Sequence, residues 1–116
     1  MIGVDIVVVE RIENSLEKYG ERFLRRFLSE EEITLVKNPQ TAAGFWAAKE
    51  AIAKSLGTGI GSELSFHDIR LSKTEKGAPY FTLPDGIVER FAIQSTSLSI
   101  AHDGGFAIAV AAIETR

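Results

Sequence analysis

Two carboxylates and one lysine in this sequence have the chemistry and the spacing of a site that binds a divalent cation and a phosphate. Asp5 interrupts an otherwise apolar N-terminal segment, and Glu50 lies four residues before Lys54 in a segment with helical character. Carboxylate oxygens are ligands that Mg²⁺ prefers, and an ammonium group neutralises phosphate oxygens. The sequence therefore predicts a magnesium–phosphate site formed by these three side chains.

Each of these residues also has an ordinary structural explanation. A lone aspartate in a strand can lie on a solvated face or accept a backbone hydrogen bond. Glu50 and Lys54 have the order of a surface ion pair worth about 0.2–0.5 kcal/mol. The apolar neighbours of Asp5 favour a cationic partner, and Trp46, one turn before Glu50, puts Glu50 at the edge of the buried stripe. Lys49 diverges from Lys54 by about 140° around the helix axis, so the two lysines cannot share one task.

The helix that would position Glu50 and Lys54 is predicted over Ala42–Leu56, with Thr41 as its N-cap and Gly57 as its terminator. The strand that would position Asp5 is predicted over residues 2–9. Because this strand is nearly apolar on both faces, we expect it at the centre of a sheet.

The other elements follow from periodicity, capping and turn residues. Their order predicts one α+β domain over residues 1–116, with a mainly antiparallel sheet packed by the long central helix and by shorter helices. The predicted elements are a helix over Arg11–Tyr19, helical spacing over 23–28, a helix from the Ser29/Glu32 capping box to Asn38-Pro39, strands at Phe66–Ser72 and Pro79–Leu83, a helix from Pro84 to Ile93, and a hairpin of Ser97–His102 and Phe106–Ile113 around Asp103-Gly104-Gly105.

Composition restricts the function classes. The chain has 116 residues, no cysteine and a net charge of −3. The lack of cysteine excludes disulfides and thiolate metal sites, and it fits a cytoplasmic location. The acidic balance makes nucleic acid a poor partner, and no apolar run reaches the length of a membrane span of about 20 residues.

Two glycines and a histidine are weaker candidates for ligand binding. Gly57 and Gly59 follow the central helix, where they resemble a phosphate loop only loosely, because anions favour the N-termini of helices. Termination of the helix is the simpler explanation for Gly57. His102 ends a strand just before a tight turn, where it could pair with a phosphate, accept a proton or serve only the structure.

A basic group follows the first strand. Arg11, Lys18 and Arg22 lie in a region that also contains Arg25 and several glutamates. Interleaved charges of both signs are typical of a solvated helix face, and this interpretation is slightly favoured. A docking surface for an acidic partner is the alternative.

Six short segments, in a fixed order, carry a family resemblance. They are Ile2–Val7, Arg11-Ile12, Trp46–Ala51, Lys54–Ile60, Gly77–Pro79 and Ser99–His102. With these segments the chain resembles the holo-[acyl-carrier-protein] synthases, the small stand-alone class of 4′-phosphopantetheinyl transferases, over nearly its whole length. The pairing of a strand aspartate with Lys-Glu-Ala-x-x-Lys in a helix is specific to that class.

The resemblance implies an enzyme that transfers the 4′-phosphopantetheine group of coenzyme A to a serine of apo acyl carrier protein, a step that supports fatty acid biosynthesis. Adenosine 3′,5′-bisphosphate leaves, and Mg²⁺ is required. The resemblance also implies a homotrimer with active sites between subunits. The implied roles are metal ligation by Asp5 and Glu50, catalysis by these two residues and Lys54, coenzyme A binding by Lys54, Gly57, Gly59, Pro79 and His102, and carrier-protein docking by Arg11, Lys18 and Arg22.

Two positions differ from the usual pattern of this family. Phe45 stands where an arginine commonly contributes to phosphate binding, and Ala101 stands where a hydroxyl residue is common. These differences would support a non-catalytic trimeric module that binds coenzyme A or a carrier protein, but the intact set of Asp5, Glu50 and Lys54 argues against it. The chemistry of the site also permits a Mg²⁺-dependent phosphohydrolase of a nucleotide, and only the family resemblance disfavours that function.

Overall fold

The strands form two antiparallel sheets that pack with helices, which confirms the α+β class. The computed structural model describes residues 1–116. One sheet has three strands in the order β1-β5-β4, and the other pairs β2 with β3. The elements are β1 (Ile2–Val8), α1 (Val9–Tyr19), α2 (Glu21–Arg25), α3 (Glu30–Ile33), α4 (Pro39–Ser55), a 3₁₀ turn (Phe66–Asp68), β2 (Arg70–Lys73), β3 (Pro79–Thr82), α5 (Asp85–Arg90), β4 (Ile93–Asp103) and β5 (Phe106–Thr115).

The long helix α4 packs across all three strands of the larger sheet. Alternate residues of the central strand β5 face this helix, and they are alanines that meet alanines of α4. Small side chains on both surfaces let the helix backbone approach the sheet closely, and the contact excludes water. The fully buried alanines include Ala43, Ala47, Ala48 and Ala51 of α4, and Ala107, Ala109 and Ala111 of β5.

Two glycines allow the closest contacts of α4 with the sheet. A Cβ at Gly3 of β1 would lie 1.9 Å from the carbonyl oxygen of Ala51. A Cβ at Gly44 would lie 2.9 Å from Cγ2 of Ile100 and 3.0 Å from Nε2 of His102, both in β4. The N-terminal half of α4 therefore touches β4, and its C-terminal half touches β1.

The predicted central position of β1 is wrong. In this chain β1 is an edge strand that pairs only with β5. Its even-numbered face is apolar but exposed, with Ile2, Val4 and Ile6 at 74%, 55% and 58% exposure. The apolar pattern on both faces was a correct observation. It does not require a central strand because one of the two faces is left uncovered by the rest of the chain.

A buried lysine joins α4 to the segments around it. The Lys49 ammonium is inaccessible to solvent and donates three hydrogen bonds, to the Phe27 carbonyl at 2.8 Å, to Oε1 of Glu32 at 2.9 Å and to the Phe66 carbonyl at 2.9 Å. Burial lowers the pKa of Lys49, and the hydrogen bond and negative charge of Glu32 oppose that shift. All three protons of the ammonium are thus satisfied inside the protein.

Glu32 extends the same network. Its Oε1 accepts the Ser29 N–H at 2.7 Å, and its Oε2 accepts the Leu71 N–H at 2.7 Å. The first of these bonds, with the return bond from the Glu32 N–H to the Ser29 hydroxyl, forms the predicted capping box. The network therefore connects the start of α3, the middle of α4 and strand β2.

Several predicted boundaries need correction. Helix α4 begins at Pro39, with Asn38 as its N-cap, because the Asn38 side chain accepts the Thr41 N–H at 2.9 Å. Proline has no N–H to lose in the first helical turn, so Pro39 starts this helix rather than ending the one before. The helices predicted over 23–28, to 38 and to 93 end at residues 25, 33 and 90, Phe66–Asp68 is a 3₁₀ turn, and β4 begins at residue 93.

The hairpin around Asp103-Gly104-Gly105 is confirmed, with Asp103 opposite Phe106. Both glycines have positive φ, 57° and 85°, which the tight turn requires. None of the helices combines the length and the apolar character that crossing a membrane requires.

Candidate functional site

The fold brings Asp5 to the flank of α4. Gly3, Asp5 and Val7 share the face of β1 that packs against this helix, and Gly3 and Val7 are buried. The close approach at Gly3 holds the strand against the helix backbone two residues before Asp5. As a result the Asp5 side chain is only 15% exposed. The prediction that an aspartate in this strand would not lie on an open face is confirmed.

Lys54 is the partner of Asp5. Its ammonium donates to Oδ1 of Asp5 at 2.7 Å and to the Val4 carbonyl at 3.3 Å. The Lys54 side chain remains half-exposed. The ordinary alternative, a surface ion pair between Glu50 and Lys54 along the helix, is not what forms, because the lysine reaches across to the strand instead.

Glu50 lines the same cavity as Asp5, a cleft of about 250 Å³. Burial raises the pKa of Glu50, the negative charge of Asp5 raises it further, and the positive charge of Lys54 opposes both effects. Two carboxylates that repel each other at one cavity are a set of oxygen ligands that a cation would stabilise.

The ligand set fits magnesium. No cluster of three or more histidine, aspartate or glutamate side chains is present, and the chain has no cysteine. Magnesium commonly keeps several waters and takes one or two carboxylates together with substrate phosphates. Asp5 and Glu50 are sufficient for that mode, and they are the residues that would bind the ion.

The remaining wall of this first cavity is mostly apolar. The rings of Phe23 and Trp46 lie there nearly parallel, with centroids 6.0 Å apart, and Ile12 packs beside them. Arg11 and Ser15 of α1 complete the opposite side. The helical spacing over residues 23–28 includes Phe23 but carries no signal that this residue belongs to the site. Only the packing of α1 and α2 beside α4 shows that this ring faces the carboxylates.

His102 and Pro79 lie together at a second cavity of about 130 Å³. His102 Nε2 is 2.8 Å from the Gln40 carbonyl, and because a carbonyl only accepts, Nε2 carries the proton. No carboxylate lines this cavity. Its lining residues are Thr41, Gly44, Phe45, Lys73, Gly77, Pro79, Ile100 and His102. Thr41, Lys73 and Gly77 were not assigned to a site from sequence, although Gly77 lies in one of the motif segments.

The two cavities share no lining residue within one chain. The first opens beside α1 and contains Trp46 and Glu50 of α4. The second opens beside the β2–β3 sheet and contains Thr41, Gly44 and Phe45 of α4. Asp5, Glu50 and Lys54 are therefore brought together as predicted, whereas Pro79 and His102 form a separate group on the other flank of the helix.

Gly57 and Gly59 end the central helix. Their φ angles are 77° and 63°, and the N–H groups of Thr58 and Gly59 both donate to the Ala53 carbonyl. This conformation explains why glycine is needed at both positions. Neither glycine lines the two cavities, and the space beside each Cα is open. Their predicted contact with coenzyme A stays a prediction.

The basic residues near the first cavity are accessible. Arg11, Lys18 and Arg22 are exposed, and Arg11 lines the cavity itself. Arg25 is different, because it forms ion pairs with Glu21 and Glu30. The mixed-charge face that the sequence favoured thus exists at Arg25, while the other three cations lie outside such pairs and can contact a partner.

Comparisons with known proteins find matches over nearly the whole chain. The sequence model described as the 4′-phosphopantetheinyl transferase superfamily matches residues 1–111. A holo-[acyl-carrier-protein] synthase of Nitratiruptor sp. is 62% identical over 113 residues, which cover 97% of each chain. The corresponding synthase of Wolinella succinogenes is 60% identical over 116 residues, covering 100% of this chain and 98% of the relative.

Solved structures show the same similarity. The holo-[acyl-carrier-protein] synthase of Helicobacter pylori, in complex with coenzyme A, superposes with a TM-score of 0.95 at 50% identity, covering 98% of this chain and 100% of that one. The synthase of Bacillus anthracis, in complex with coenzyme A (3′,5′-ADP), has a TM-score of 0.83 at 36% identity, covering 99% and 96%.

The raised pKa of Glu50 predicts that this residue destabilises the metal-free protein. Below pH 4.5, the ordinary pKa of the group, Glu50 is protonated in the folded and unfolded states and resembles glutamine. As the pH rises through the higher folded-state pKa, ionisation costs more in the folded protein, so stability is lost. In EDTA at pH 8, Glu50→Gln should raise Tm by about 2 °C, a small value because the side chain is partly exposed.

The measurement is thermal unfolding by circular dichroism from pH 4 to pH 8. The gain from Glu50→Gln should shrink toward acid pH. Glu89→Gln, at an exposed position on α5, is the control and should leave Tm nearly unchanged throughout. A Glu50→Gln protein that is less stable than wild type at pH 8 would contradict the proposed repulsion.

Proposed function

Because the chain belongs to the holo-[acyl-carrier-protein] synthase family within the 4′-phosphopantetheinyl transferase superfamily, we propose that it is a Mg²⁺-dependent enzyme that modifies apo acyl carrier protein. It moves the 4′-phosphopantetheine group of coenzyme A to a carrier serine and releases adenosine 3′,5′-bisphosphate. Residues 1–116 act as one domain, in the cytoplasm, in support of fatty acid biosynthesis. The observation that carries the proposal is that Asp5 and Glu50 line one cavity while Lys54 bonds Asp5.

The reaction is a phosphoryl-group substitution. The serine oxygen bonds to the phosphorus that bears pantetheine, and the bond from that phosphorus to the bridging oxygen breaks. The bridging oxygen leaves with its electron pair as part of adenosine 3′,5′-bisphosphate, and the serine proton passes to a base. Such transfers depend on positioning and charge neutralisation more than on covalent help from the protein.

The carboxylates and the lysine have separable roles. Asp5 and Glu50 would hold Mg²⁺, which supplies charge stabilisation at the phosphate oxygens when bound. Lys54 positions Asp5 by the 2.7 Å bond, donates a second proton to the Val4 carbonyl and retains one proton that can contact phosphate. The serine proton must pass to a base, and a carboxylate of the site can accept it directly or through a water.

Coenzyme A would contact both cavities. Lys54 lies in the last turn of α4 and bonds Asp5, and it is assigned to the coenzyme A phosphates. Gly57 and Gly59, which follow this helix, are assigned to coenzyme A binding. Pro79 and His102 line the second cavity and are assigned to the nucleotide. The assignment of Pro79 and His102 to the nucleotide is supported by the lining of the second cavity, which contains basic side chains and no carboxylate that would repel phosphate.

The carrier protein would dock on α1 and α2. Arg11, Lys18 and Arg22 are exposed there, and Arg11 borders the cavity that contains the metal ligands. A carrier with an acidic surface would be guided to this face by charge, and its serine would arrive beside Asp5 and Glu50.

A homotrimer with active sites between subunits accounts for two further observations. The outer face of the β1-β5-β4 sheet is apolar and exposed, with Ile2, Val4, Ile6 and Val8 of β1 beside Phe106, Ile108 and Val110 of β5. Patches of this kind on a small protein mark contacts with other chains. The metal cavity and the nucleotide cavity also lie on opposite flanks of α4, so a neighbouring chain that supplies its second cavity would complete the site.

The proposed reaction is tested by mass spectrometry of apo acyl carrier protein incubated with the enzyme, coenzyme A and Mg²⁺. The carrier should gain one phosphopantetheine group, and EDTA should abolish the gain. Glu50→Gln should slow transfer about 100-fold or more, because a metal ligand is lost while the shape is kept. Glu89→Gln is the matched control and should react like wild type. No mass gain, or a gain that EDTA does not affect, would refute the Mg²⁺-dependent transferase.

The docking proposal is tested by charge reversal. Arg22→Glu should raise KM for the carrier protein about threefold to tenfold, with KM for coenzyme A unchanged, because the residue acts only on the acidic partner. Arg116→Glu changes the net charge equally at the exposed C-terminus and should leave both constants unchanged. Steady-state kinetics at low salt give these values, and an unaltered carrier KM would remove Arg22 from the docking surface.

The trimer is tested by complementation between two impaired variants. Glu50→Gln damages the metal cavity, and His102→Ala damages the nucleotide cavity. If each site uses the first cavity of one chain and the second of its neighbour, every mixed trimer contains one intact site. Random mixing by co-expression should then restore about a quarter of wild-type activity. Activity no higher than the mean of the two parents, or a monomer in sedimentation analysis, would contradict interface sites.

A further inference from the structure

We propose that Lys73 is the residue that binds the 3′-phosphate of coenzyme A and makes the enzyme prefer coenzyme A to a donor that lacks this phosphate. The inference rests on the proposed function and adds a specificity-determining residue to it. It is carried by the charge distribution and the geometry of the second cavity.

Lys73 is one of only two ionisable residues that line this cavity. The other is His102, and the remaining walls are formed by glycine, proline, threonine and apolar side chains. Without a carboxylate to compete for the lysine, the cavity favours an anion. The Nε2–H of His102 is already donated to the Gln40 carbonyl. Lys73 is therefore the basic residue of the cavity whose N–H groups have no hydrogen-bond partner within the chain.

The position of Lys73 is set by the smaller sheet. It is the last residue of β2 and lies opposite Pro79 of β3, which also lines the cavity. Its ammonium lies 5.9 Å from the centroid of the Phe45 ring, within the range of a cation–π contact. The lysine is exposed and forms no ion pair within 4.0 Å, so the protein leaves its three protons free for a ligand.

Phe45 explains why the charge must come from a strand. At this position on α4 the resemblance implies an arginine, but the chain has a buried phenylalanine, 3% exposed. The helix therefore contributes no cation to the cavity. The ring instead provides a surface beside which the Lys73 ammonium lies.

The chemistry of the cavity selects the phosphate that does not react. The reacting pyrophosphate needs the carboxylates and metal of the first cavity, and the second cavity has no carboxylate. The 3′-phosphate is a monoester that leaves unchanged with the nucleotide. A phosphate monoester carries about −1.5 to −2 charges at pH 7, so it forms strong charge-assisted hydrogen bonds with an ammonium group.

The experiment measures Kd by calorimetry for coenzyme A and for 3′-dephospho-coenzyme A. Lys73→Met should weaken coenzyme A binding about tenfold or more, because one charge-assisted hydrogen bond is lost. The same variant should bind the dephospho donor within about twofold of wild type, since the bond is absent there. Lys73→Arg should stay close to wild type for both. Steady-state kinetics should show a raised KM for coenzyme A with kcat unchanged.

The matched control is Lys76→Met, in the same β2–β3 turn but outside the cavity lining, which should leave both Kd values unchanged. The proposal is overturned if Lys73→Met binds coenzyme A with the wild-type Kd, or if the substitution raises Kd for both donors by the same factor. It is also overturned if the wild-type protein binds the two donors with equal Kd. Because binding is measured without turnover, a wild-type protein that shows the expected Kd pattern but transfers nothing would refute the proposed function and support the role of Lys73.

Discussion

The arrangement of the site depends on one buried ammonium group. From the centre of α4, Lys49 donates to the Phe27 carbonyl after α2, to Glu32 of α3 and to the Phe66 carbonyl of the 3₁₀ turn. Glu32 in turn accepts a hydrogen bond from a backbone N–H of β2. Removing one partner of a buried ion pair costs about 3–5 kcal/mol, because the other charge is left without compensation. Replacing both partners by apolar side chains is often neutral, so the pair adds little stability compared with apolar packing. Its effect is to fix the position of α4, because few other placements of this helix would satisfy both charged groups.

The residue after Lys49 is Glu50, so the same network fixes the position of Glu50 along α4 and the direction in which its side chain leaves the helix. Lys49 points into the core and Glu50 points to the cavity, about 100° around the helix. Trp46, one turn earlier, stacks on Phe23 and closes the apolar wall. The contact at Gly3 then sets the distance of β1 from α4, which decides where Asp5 lies. A buried polar network, an aromatic stack and a backbone contact together position two carboxylates that repel each other.

The larger sheet has one covered face and one exposed apolar face. The inner face of β5 is alanine, which permits close packing with α4, and the outer face bears Phe106, Ile108 and Val110. A single chain thus buries only one side of its sheet. Exposing such a face to water costs about 25 cal/mol per Å² of apolar surface, and the proposed homotrimer would recover part of that free energy.

The sequence by itself determined the local features: the α+β class, the capping box at Ser29, the hairpin around Gly104 and Gly105, and the chemical types of the site residues. These depend on neighbours along the chain. Only the tertiary structure decided that Lys54 bonds Asp5 rather than Glu50, that Lys49 is buried on Glu32, and that β1 is an edge strand. The two ion pairs join residues that lie 17 and 49 positions apart, and the edge position of β1 depends on which of its faces another element covers. The local spacing of residues carries no information about such distant contacts.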